Sequence, residues 1–377
     1  MGFPDCDVRR AVRLAAIDLG TVTSRLLIAE VREGQIHELQ RHLRITHLGE
    51  GIDHTRVISA GAILREQAAC RDFMQAIAAC EQQDGIPVEQ VIAVATSAMR
   101  DATNREEVCC ALREAGVEIT VISGAREAEL SFLGATSGFS SEELSVSGAT
   151  SGFSSGELSV SGATSGFTPG ELSLGDAVMS LDVGGGSTEV ILGLLGSRGV
   201  AQPKAQGTNL GPGLSGSRGV APSILFAQSF DIGCRRVTDR FLMSDPPSLA
   251  ELSSAKTWIE SEMRDCFEQL KCRPQALIAV AGTATTVVSV RDEMKDYDPQ
   301  KVHGAIVTAD ELDRVKEKLL ALNLRERKRC TGLEPGRAEV IIGGLVILQA
   351  ALELSGLDSF VVSETDILHG LILDAAR

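Results

Sequence analysis

Apolar and polar residues alternate along the chain in blocks that predict the same order of strands and helices twice. The first part predicts a β-β-β-α-β-α-β order. Its three hairpin strands are expected at 14–19, 24–31 and 36–45, and they are followed by a helix at 59–83 that ends at Gly85. A strand at 91–97, a helix that Asn104 can cap and a strand at 118–123 complete this part. The second part predicts strands at 178–182, 187–195 and 224–232, a helix at 249–270, a strand at 276–281, a helix at 337–354, a strand at 360–363 and a final helix from about Asp366.

Three strands in hairpins, followed by alternating strands and helices, indicate a mixed sheet with helices on its faces. The fold class is therefore α/β, with two domains of similar topology that face each other across a cleft. We place the first domain at 1–134 plus about 364–377, and the second at 176–363.

Two repetitive segments interrupt this order. FSSEELSVSGATSG is followed at once by FSSGELSVSGATSG and by a fading third copy, within an insertion at 135–175. Because the segment has few bulky apolar residues to offset its ordering entropy, we predict a flexible insertion, with a short β-solenoid as the alternative. GSRGVA occurs twice around a Pro/Gly-rich stretch, which predicts an extended hairpin loop at 196–221.

Composition then narrows the classes of function. The chain has 377 residues and a net charge of −15, which argues against nucleic-acid binding. The arginine-rich stretch at 325–337 is either a solvated loop or a contact for a polyanion. We expect a cytoplasmic protein without a membrane segment, because there is no apolar signal region and no run of about twenty apolar residues. The nine cysteines lack CxxC spacing and are predicted to be reduced.

Two glycine-rich turns share one layout. LAAIDLGTVTSRLLIAE (14–30) and VMSLDVGGGSTEVILG (178–193) each run from an apolar strand through Asp-x-Gly and hydroxyl residues into another apolar strand. Bare backbone N–H groups in such turns bind phosphate oxygens, and a neighbouring carboxylate suits Mg²⁺. The predicted metal ligands are Asp18 and Asp182, and the predicted phosphate-binding residues are Gly20, Thr21, Thr23, Gly184, Gly185, Gly186, Ser187 and Thr188. An unliganded hairpin is the alternative.

A third loop, where the strand at 276–281 runs into Gly282 and Thr283, either binds phosphate as well or is an ordinary strand-to-helix turn. The whole layout resembles the actin, Hsp70 and sugar-kinase fold, in which two RNase H-like domains clamp phosphates between paired hairpins. That resemblance leaves kinase, ATPase and phosphatase activities open.

Four further stretches, in order with the two turns, resemble the exopolyphosphatase / guanosine pentaphosphate phosphohydrolase (Ppx/GppA) family: ATSAMRDATN, VISGAREAELSFLGA, SFDIGCRRVTDRF and GLEPGRAEVIIGGLVIL. The resemblance implies a hydrolase dependent on Mg²⁺ or another divalent cation, which releases the terminal phosphate of inorganic polyphosphate, of guanosine pentaphosphate, or of both. No segment that resembles a further domain follows 360–377, so the short two-domain form is expected. A homodimer is an expectation from the family only.

The same resemblance assigns roles to acidic and basic residues. Glu127 matches the catalytic glutamate that deprotonates water, and Arg100 matches an arginine that neutralises charge on the transferred phosphoryl group. Glu189 and Asp182 match an acidic pair around the glycine turn, which binds metal or orients water. From the residues alone, Glu127 is a first-turn glutamate favoured by the helix dipole after a possible cap at Ser123, and Arg100 is a surface residue at a helix start.

The chain departs from the family pattern at two places. Val22 stands where the family has an asparagine, and Ala125 and Arg126 stand where it often has acidic residues. These differences predict altered affinity for substrate or metal. They keep open a non-catalytic sensor that binds an alarmone or polyphosphate. A kinase or ATPase of the same superfold is a separate alternative. Arg337 in EPGRAE either touches substrate or starts a helix.

Overall fold

The computed structural model describes residues 11–139, 177–194, 223–270 and 272–377. Most of the predicted insertion at 135–175 and all of the predicted loop at 196–221 lie outside the described residues. The described start of the insertion is helical, because residues 135–137 are the end of a helix that spans Gly124–Ser137.

The first sheet has five strands in the order β3-β2-β1-β4-β5. Its strands are β1 (Val12–Leu19), β2 (Thr23–Arg32), β3 (Gln35–Ile45), β4 (Gln90–Ala95) and β5 (Thr120–Val121). Its helices are α1 (Ile52–Thr55), α2 (Ala60–Asp84), α3 (Ser97–Asp101), α4 (Arg105–Glu114) and α5 (Gly124–Ser137). The hairpins β1-β2 and β2-β3 are antiparallel, whereas β4 and β5 add in parallel.

The second sheet has six strands in the order β10-β11-β9-β6-β7-β8. Its strands are β6 (Ala177–Val183), β7 (Thr188–Leu194), β8 (Ser223–Phe230), β9 (Ala276–Val280), β10 (Ile306–Thr308) and β11 (Ser359–Val362). The helices that follow β8 are α6 (Cys234–Phe241), α7 (Leu249–Glu268), α8 (Ala281–Arg291), α9 (Pro299–Val302), α10 (Ala309–Leu320), α11 (Leu324–Arg327), α12 (Ile341–Ser355) and α13 (Ile367–Ala375). A 3₁₀ turn, Pro335–Arg337, precedes α12.

The two sheets repeat one pattern, as the sequence predicted. In each, an antiparallel hairpin pairs with a third antiparallel strand on one side and a parallel strand on the other. The central strands β1 and β6 are almost wholly buried because helices cover both faces, which explains their continuous apolar sequences. The predicted α/β fold with two RNase H-like domains facing a cleft is confirmed.

The helix boundaries follow local capping chemistry in most places. The Ser59 Oγ accepts from the Ala62 N–H at 3.2 Å to start α2, and Gly85 ends it in the left-handed region at φ 74°. The predicted cap of α4 is wrong, since the Asn104 side chain instead binds the backbone of Ile58. The predicted strand at 118–123 shortens to β5, and residue 97 begins a helix rather than ending a strand.

The last helix returns to the first sheet. Residues of α13, among them Ile367, Leu368 and Leu371, share a buried cluster with β1, β2 and α5. Within the described ranges, none of the helices combines the length and the apolar character needed to cross a membrane. The cysteines that the structure describes are all free thiols, which agrees with the reduced state predicted for them.

Candidate functional site

The two Asp-x-Gly turns have the same local geometry. The Gly20 N–H donates to the Thr23 carbonyl at 3.0 Å, and the Gly184 N–H donates to the Ser187 carbonyl at 3.0 Å. A Cβ atom on Gly20 would lie 2.8 Å from the Thr23 oxygen, and one on Gly184 would lie 3.0 Å from the Ser187 oxygen. Each turn therefore needs a glycine at its first position, because a side chain would meet the turn's own carbonyl.

The other two glycines of the second turn, Gly185 and Gly186, have no room for side chains because residues of the first domain lie against them. Gly185 and Gly186 both lie outside the positive-φ region, so the backbone turn itself does not demand them. A Cβ atom on Gly185 would lie 2.6 Å from Val22 Cγ2, and one on Gly186 would lie 2.5 Å from Ser97 Oγ and 2.6 Å from Thr21 Oγ1. The two turns thus touch across the domain boundary, which only bare backbone permits.

The carbonyl groups of the three turn glycines are held by the start of α6. Their donors, in order, are the Cys234 N–H at 2.9 Å, the Arg235 N–H at 2.9 Å and Arg236 Nε at 3.1 Å. Across the part of the chain that the structure describes, no acceptor is found for the N–H groups of Gly185 and Gly186. Backbone donors left free in the wall of a cleft suit phosphate oxygens.

The turns line a cleft of about 80 Å³ between the domains. Most of the predicted site residues line it: Asp18, Gly20, Thr21, Thr23, Glu127, Asp182, Gly184, Gly185, Gly186, Ser187, Gly282 and Thr283. Arg100, Thr188 and Glu189 do not line the cleft. Thr188 is fully buried and its Oγ1 donates to the Ile232 carbonyl at 2.5 Å, so its hydroxyl is already used within the second domain and we remove it from the phosphate ligands.

Glu127 lies in the first turn of α5, where the predicted cap is present. The Ser123 Oγ accepts from the Arg126 N–H at 3.2 Å. The Glu127 side chain is nearly buried, and its Oε2 accepts from Arg100 Nη1 at 2.5 Å. Burial raises the pKa of Glu127 to about 7, with Arg100 opposing the rise and Asp18 adding to it. A carboxyl with a pKa near neutrality is suited to accept a proton from water.

Asp182 and Glu189 face each other across the β6-β7 hairpin. The Asp182 Oδ2 accepts from Ser131 Oγ at 2.6 Å, and the Glu189 Oε1 accepts from Ser229 Oγ at 2.7 Å. Burial raises the pKa of Asp182 to about 6 and that of Glu189 well above its usual range, and the negative charge of Glu127 raises Glu189 further. Two like charges directly opposite each other favour a nearby cation.

The cross-strand partner of Asp18 is an arginine, whereas the cross-strand partner of Asp182 is a glutamate. Arg25 lies opposite Asp18 in the β1-β2 register, and its Nη2 donates to the Asp18 Oδ2 at 2.5 Å. Its Nη1 forms an ion pair with Asp366, the residue that caps α13. Burial raises the pKa of Asp18, while Arg25 opposes the rise. Arg25 therefore ties the first turn to the C-terminal helix.

The third predicted loop reaches the cleft through the start of α8. Gly282 and Thr283 line the cleft together with Arg337. The Arg337 Nη1 donates to the Gly282 carbonyl at 2.8 Å and to Thr286 Oγ1 at 3.3 Å. The predicted helix start at Arg337 is wrong, because α12 begins at Ile341, and the guanidinium instead packs over Gly282. Its position at the cleft supports the substrate-contact alternative.

Several buried polar atoms in or beside the cleft have no hydrogen-bond partner among the described residues. They include Asp18 Oδ1, Thr21 Oγ1 and Ser97 Oγ. Four buried carboxylates with raised pKa values belong to this region: Asp18, Glu127 and Asp182 line the cleft, and Glu189 lies opposite Asp182 in the β6-β7 register. An excess of buried negative charge beside free phosphate donors fits a divalent cation shared between carboxylates and phosphate oxygens. No group of three or more metal-ligating side chains occurs among the residues described.

Sequence reasoning missed Arg25, Asp366 and Arg236 as members of the site. Arg25 had a detectable signal, since it is a single cation in the apolar strand SRLLIAEV, seven residues after the turn aspartate. In the second turn, the residue at the same distance after the aspartate Asp182 is Glu189. Asp366 and Arg236 had no such signal, because their partners lie 341 and 183 residues away.

Sequence comparison places the chain among known phosphatases. The sequence model of the Ppx/GppA phosphatase family matches residues 27–152 and 156–377. Exopolyphosphatase 2 of Mycobacterium tuberculosis is 31% identical over 379 residues, which cover 97% of this chain and 98% of that protein. A bifunctional 3-dehydroquinate synthase/phosphatase of Fusobacterium nucleatum is 30% identical over 96% of this chain and 46% of its own length.

Structure comparison agrees with this. The crystal structure of an exopolyphosphatase-like protein superposes with a TM-score of 0.75 at 31% identity, covering 97% of this chain and 98% of the other. The PPX-GPPA enzyme of Aquifex aeolicus superposes with a TM-score of 0.67 at 25% identity, over 97% of this chain and all of the other. Because each superposition covers nearly the whole chain, the likeness extends over both domains.

Proposed function

The chain belongs to the Ppx/GppA phosphatase family, and from that premise we propose that it hydrolyses the terminal phosphoanhydride bond of inorganic polyphosphate. Guanosine pentaphosphate is the second substrate that we propose, since it ends in the same triphosphate chemistry. The observation that carries the proposal is the position of Glu127. It is a nearly buried carboxyl held by Arg100, in the wall of a cleft whose other walls are glycine-rich turns.

Different residues of the cleft would bind the phosphate and activate the water. Hydrolysis of a phosphoanhydride needs positioning and charge stabilisation more than covalent chemistry. The free N–H groups of Gly185 and Gly186, with the hydroxyl groups of Thr21 and Ser97, would bind the terminal phosphate. Glu127 would take the proton from the attacking water while Arg100 orients the carboxylate.

Arg337 is suited to the leaving phosphate. Within the part of the chain that is described, the recorded hydrogen bonds of its side chain go to the Gly282 carbonyl and the Thr286 hydroxyl and not to a carboxylate, and burial lowers its pKa. A desolvated guanidinium without a counter-ion binds an anion strongly. The proposed cation would be held by Asp18 and Asp182, and it would supply charge neutralisation for the phosphate oxygens.

The deciding experiment measures phosphate release from polyphosphate, guanosine pentaphosphate and ATP in the presence of Mg²⁺. We expect release from polyphosphate, with Glu127→Ala inactive. Tight binding of one of these ligands without release would support the sensor instead. Release from ATP alone, or transfer to an acceptor, would support a kinase or ATPase.

Replacement of Arg100 by glutamine is expected to move the acid limb of activity. Glu127 acts as a base in its ionised form, so activity falls as the pH drops through its pKa, which is about 7 in the folded protein. Loss of the adjacent cation raises that pKa by about one unit or more. The acid limb of kcat/KM against pH should therefore lie at higher pH in Arg100→Gln than in the wild type.

The matched control for this comparison is Arg126→Gln. Arg126 precedes Glu127 in the chain but pairs with Glu129 and Asp374, away from the carboxyl of Glu127. Its replacement should leave the acid limb in place. The substrate titrates equally in all three proteins, so an unmoved limb in Arg100→Gln contradicts the pairing of Arg100 with the base.

Replacement of Asp18 by asparagine is expected to weaken the use of Mg²⁺. Among the described residues the Asp18 Oδ1 is buried without a hydrogen-bond partner. Asparagine removes the negative charge of one of the two proposed ligands. We expect the Mg²⁺ concentration for half-maximal phosphate release to rise by about 10- to 100-fold. Asp72→Asn is the control, because Asp72 pairs with Arg44 on the surface and should leave this concentration unchanged. Equal Mg²⁺ dependence in both variants argues against Asp18 as a ligand.

A further inference from the structure

Arg236 connects the glycine turn of the second domain to the first domain. Its side chain is 5% exposed, and each of its nitrogen groups has an acceptor. Arg236 Nε donates to the Gly186 carbonyl at 3.1 Å, Nη2 donates to the Asp101 Oδ2 at 2.7 Å, and Nη1 forms an ion pair with Asp53. Asp53 lies on α1 and Asp101 ends α3, so both carboxylates belong to the first domain.

The acceptors around Arg236 are fixed by further contacts. The Asp53 side chain is 7% exposed and also binds Arg240, one helical turn along α6. Hydrogen bonds from Arg240 and Arg236 keep the pKa of Asp53 below its usual range in spite of burial. Arg240 in turn lies 5.1 Å from the ring centroid of Trp258. Arg236 is therefore enclosed by two side-chain carboxyl groups and a backbone carbonyl rather than exposed to water.

The helix that carries Asp101 also carries two groups of the candidate site. Arg100, its neighbour, donates to Glu127, and Ser97 at the other end of α3 faces Gly186. Both ends of α3 thus touch the glycine turn, one through Ser97 and the other through Arg236. A guanidinium suits this position because three acceptors in different directions require its planar set of donors, which a lysine ammonium does not match.

We propose that Arg236 is a positioning residue that holds the cleft closed and places the Gly186 carbonyl, and with it the turn N–H groups, against the first domain. The residue does not touch the reacting atoms. It acts through Gly186 on one side and through Asp53 and Asp101 on the other. The kinetic part of this inference rests on the proposed phosphatase function, while the structural part does not.

The test compares Arg236→Gln with Arg240→Gln. Both variants lose a cation that binds Asp53, but Arg240 has no bond to Gly186 or to Asp101. For Arg236→Gln, we expect small-angle X-ray scattering to give a larger radius of gyration than for the wild type. We also expect a fall in kcat of about 100-fold with little change in KM, because the turn is fully placed only in the closed form.

For Arg240→Gln, we expect wild-type scattering and wild-type kcat, with at most a lower Tm. An equal fall in kcat in both variants, or unchanged scattering and kcat in Arg236→Gln, overturns the inference. If Arg236→Gln does not fold, Asp101→Asn removes the charge from the first-domain side and should shift scattering and kcat in the same direction. If the wild type hydrolyses none of the phosphate substrates, the proposed function fails, while the scattering comparison still decides the role of Arg236.

Discussion

Glu127→Gln is expected to lower kcat for phosphate release by about 100- to 10,000-fold, which is the range for removal of a general base. The amide keeps the shape of the side chain and can still accept from Arg100, so the geometry of the site should persist. What it loses is the ability to accept a proton from water. The measurement is steady-state phosphate release from polyphosphate at saturating Mg²⁺, for the variant and the wild type.

Stability should not fall with activity in this variant. The pKa of Glu127 is raised in the folded protein, so its ionised form destabilises the fold most at pH values above about 7. This cost shrinks as the pH falls below that value and is gone near 4.5, the ordinary pKa of a glutamate. Glutamine carries no charge to bury, and Tm at pH 8 is therefore expected to be at least that of the wild type. Glu129→Gln, on the same helix but partly exposed and paired with Arg126, should keep full activity.

An active Glu127→Gln variant would show that another group accepts the proton. A variant with a strongly lowered Tm would instead show that the Glu127–Arg100 pair serves the fold. The two results are separable, because the first is read in kcat and the second in thermal unfolding.

Gly186→Ala is expected to lower kcat/KM by about 100-fold, since displacement of a site element by about 1 Å has this effect. The new Cβ atom would lie 2.5 Å from Ser97 Oγ and 2.6 Å from Thr21 Oγ1, so the two turns must move apart. The backbone at this position is accessible to alanine, and the effect is therefore steric contact between domains rather than turn strain. Overpacking of this kind also costs about 1–3 kcal/mol of stability.

Gly61→Ala is the matched control for this substitution. Gly61 lies near the start of α2, and the nearest atom to its added Cβ would be Arg65 Nη1 at 3.6 Å. Alanine there should leave kcat/KM unchanged and raise Tm, because it favours the helix by up to about 1 kcal/mol. Wild-type kcat/KM in Gly186→Ala would contradict a closed cleft in which the two turns touch.

Local chemistry made much of the fold predictable. Strand periodicity, the Ser123 cap and the stop at Gly85 depend on residues close together in the chain, and these predictions are confirmed. Asn104 shows the limit of this reasoning. Its side chain binds the backbone at Ile58, 46 residues earlier, and that distant partner displaced the local cap.

The sequence could explain the first of the three glycines but not the other two. The motif DVGGGSTE correctly indicated bare backbone between two strands. Gly184 serves the turn, as its counterpart Gly20 does. A side chain at Gly185 or Gly186 would collide with residues of the other domain, namely Val22, Ser97 and Thr21. A contact between domains leaves no periodic signal in the sequence.

By itself, the sequence determined the α/β class, the duplicated Asp-x-Gly hairpins and the placement of Glu127 after a helix cap, because each follows from hydrogen bonding or burial within a few residues. Only the tertiary structure decided which charges meet. Arg25 with Asp366 and Arg236 with Asp53 join residues hundreds of positions apart or on different domains. Such pairs are set by how the two sheets pack against each other, since the energy of a buried ion pair depends on the position and dehydration of both partners rather than on their distance along the chain.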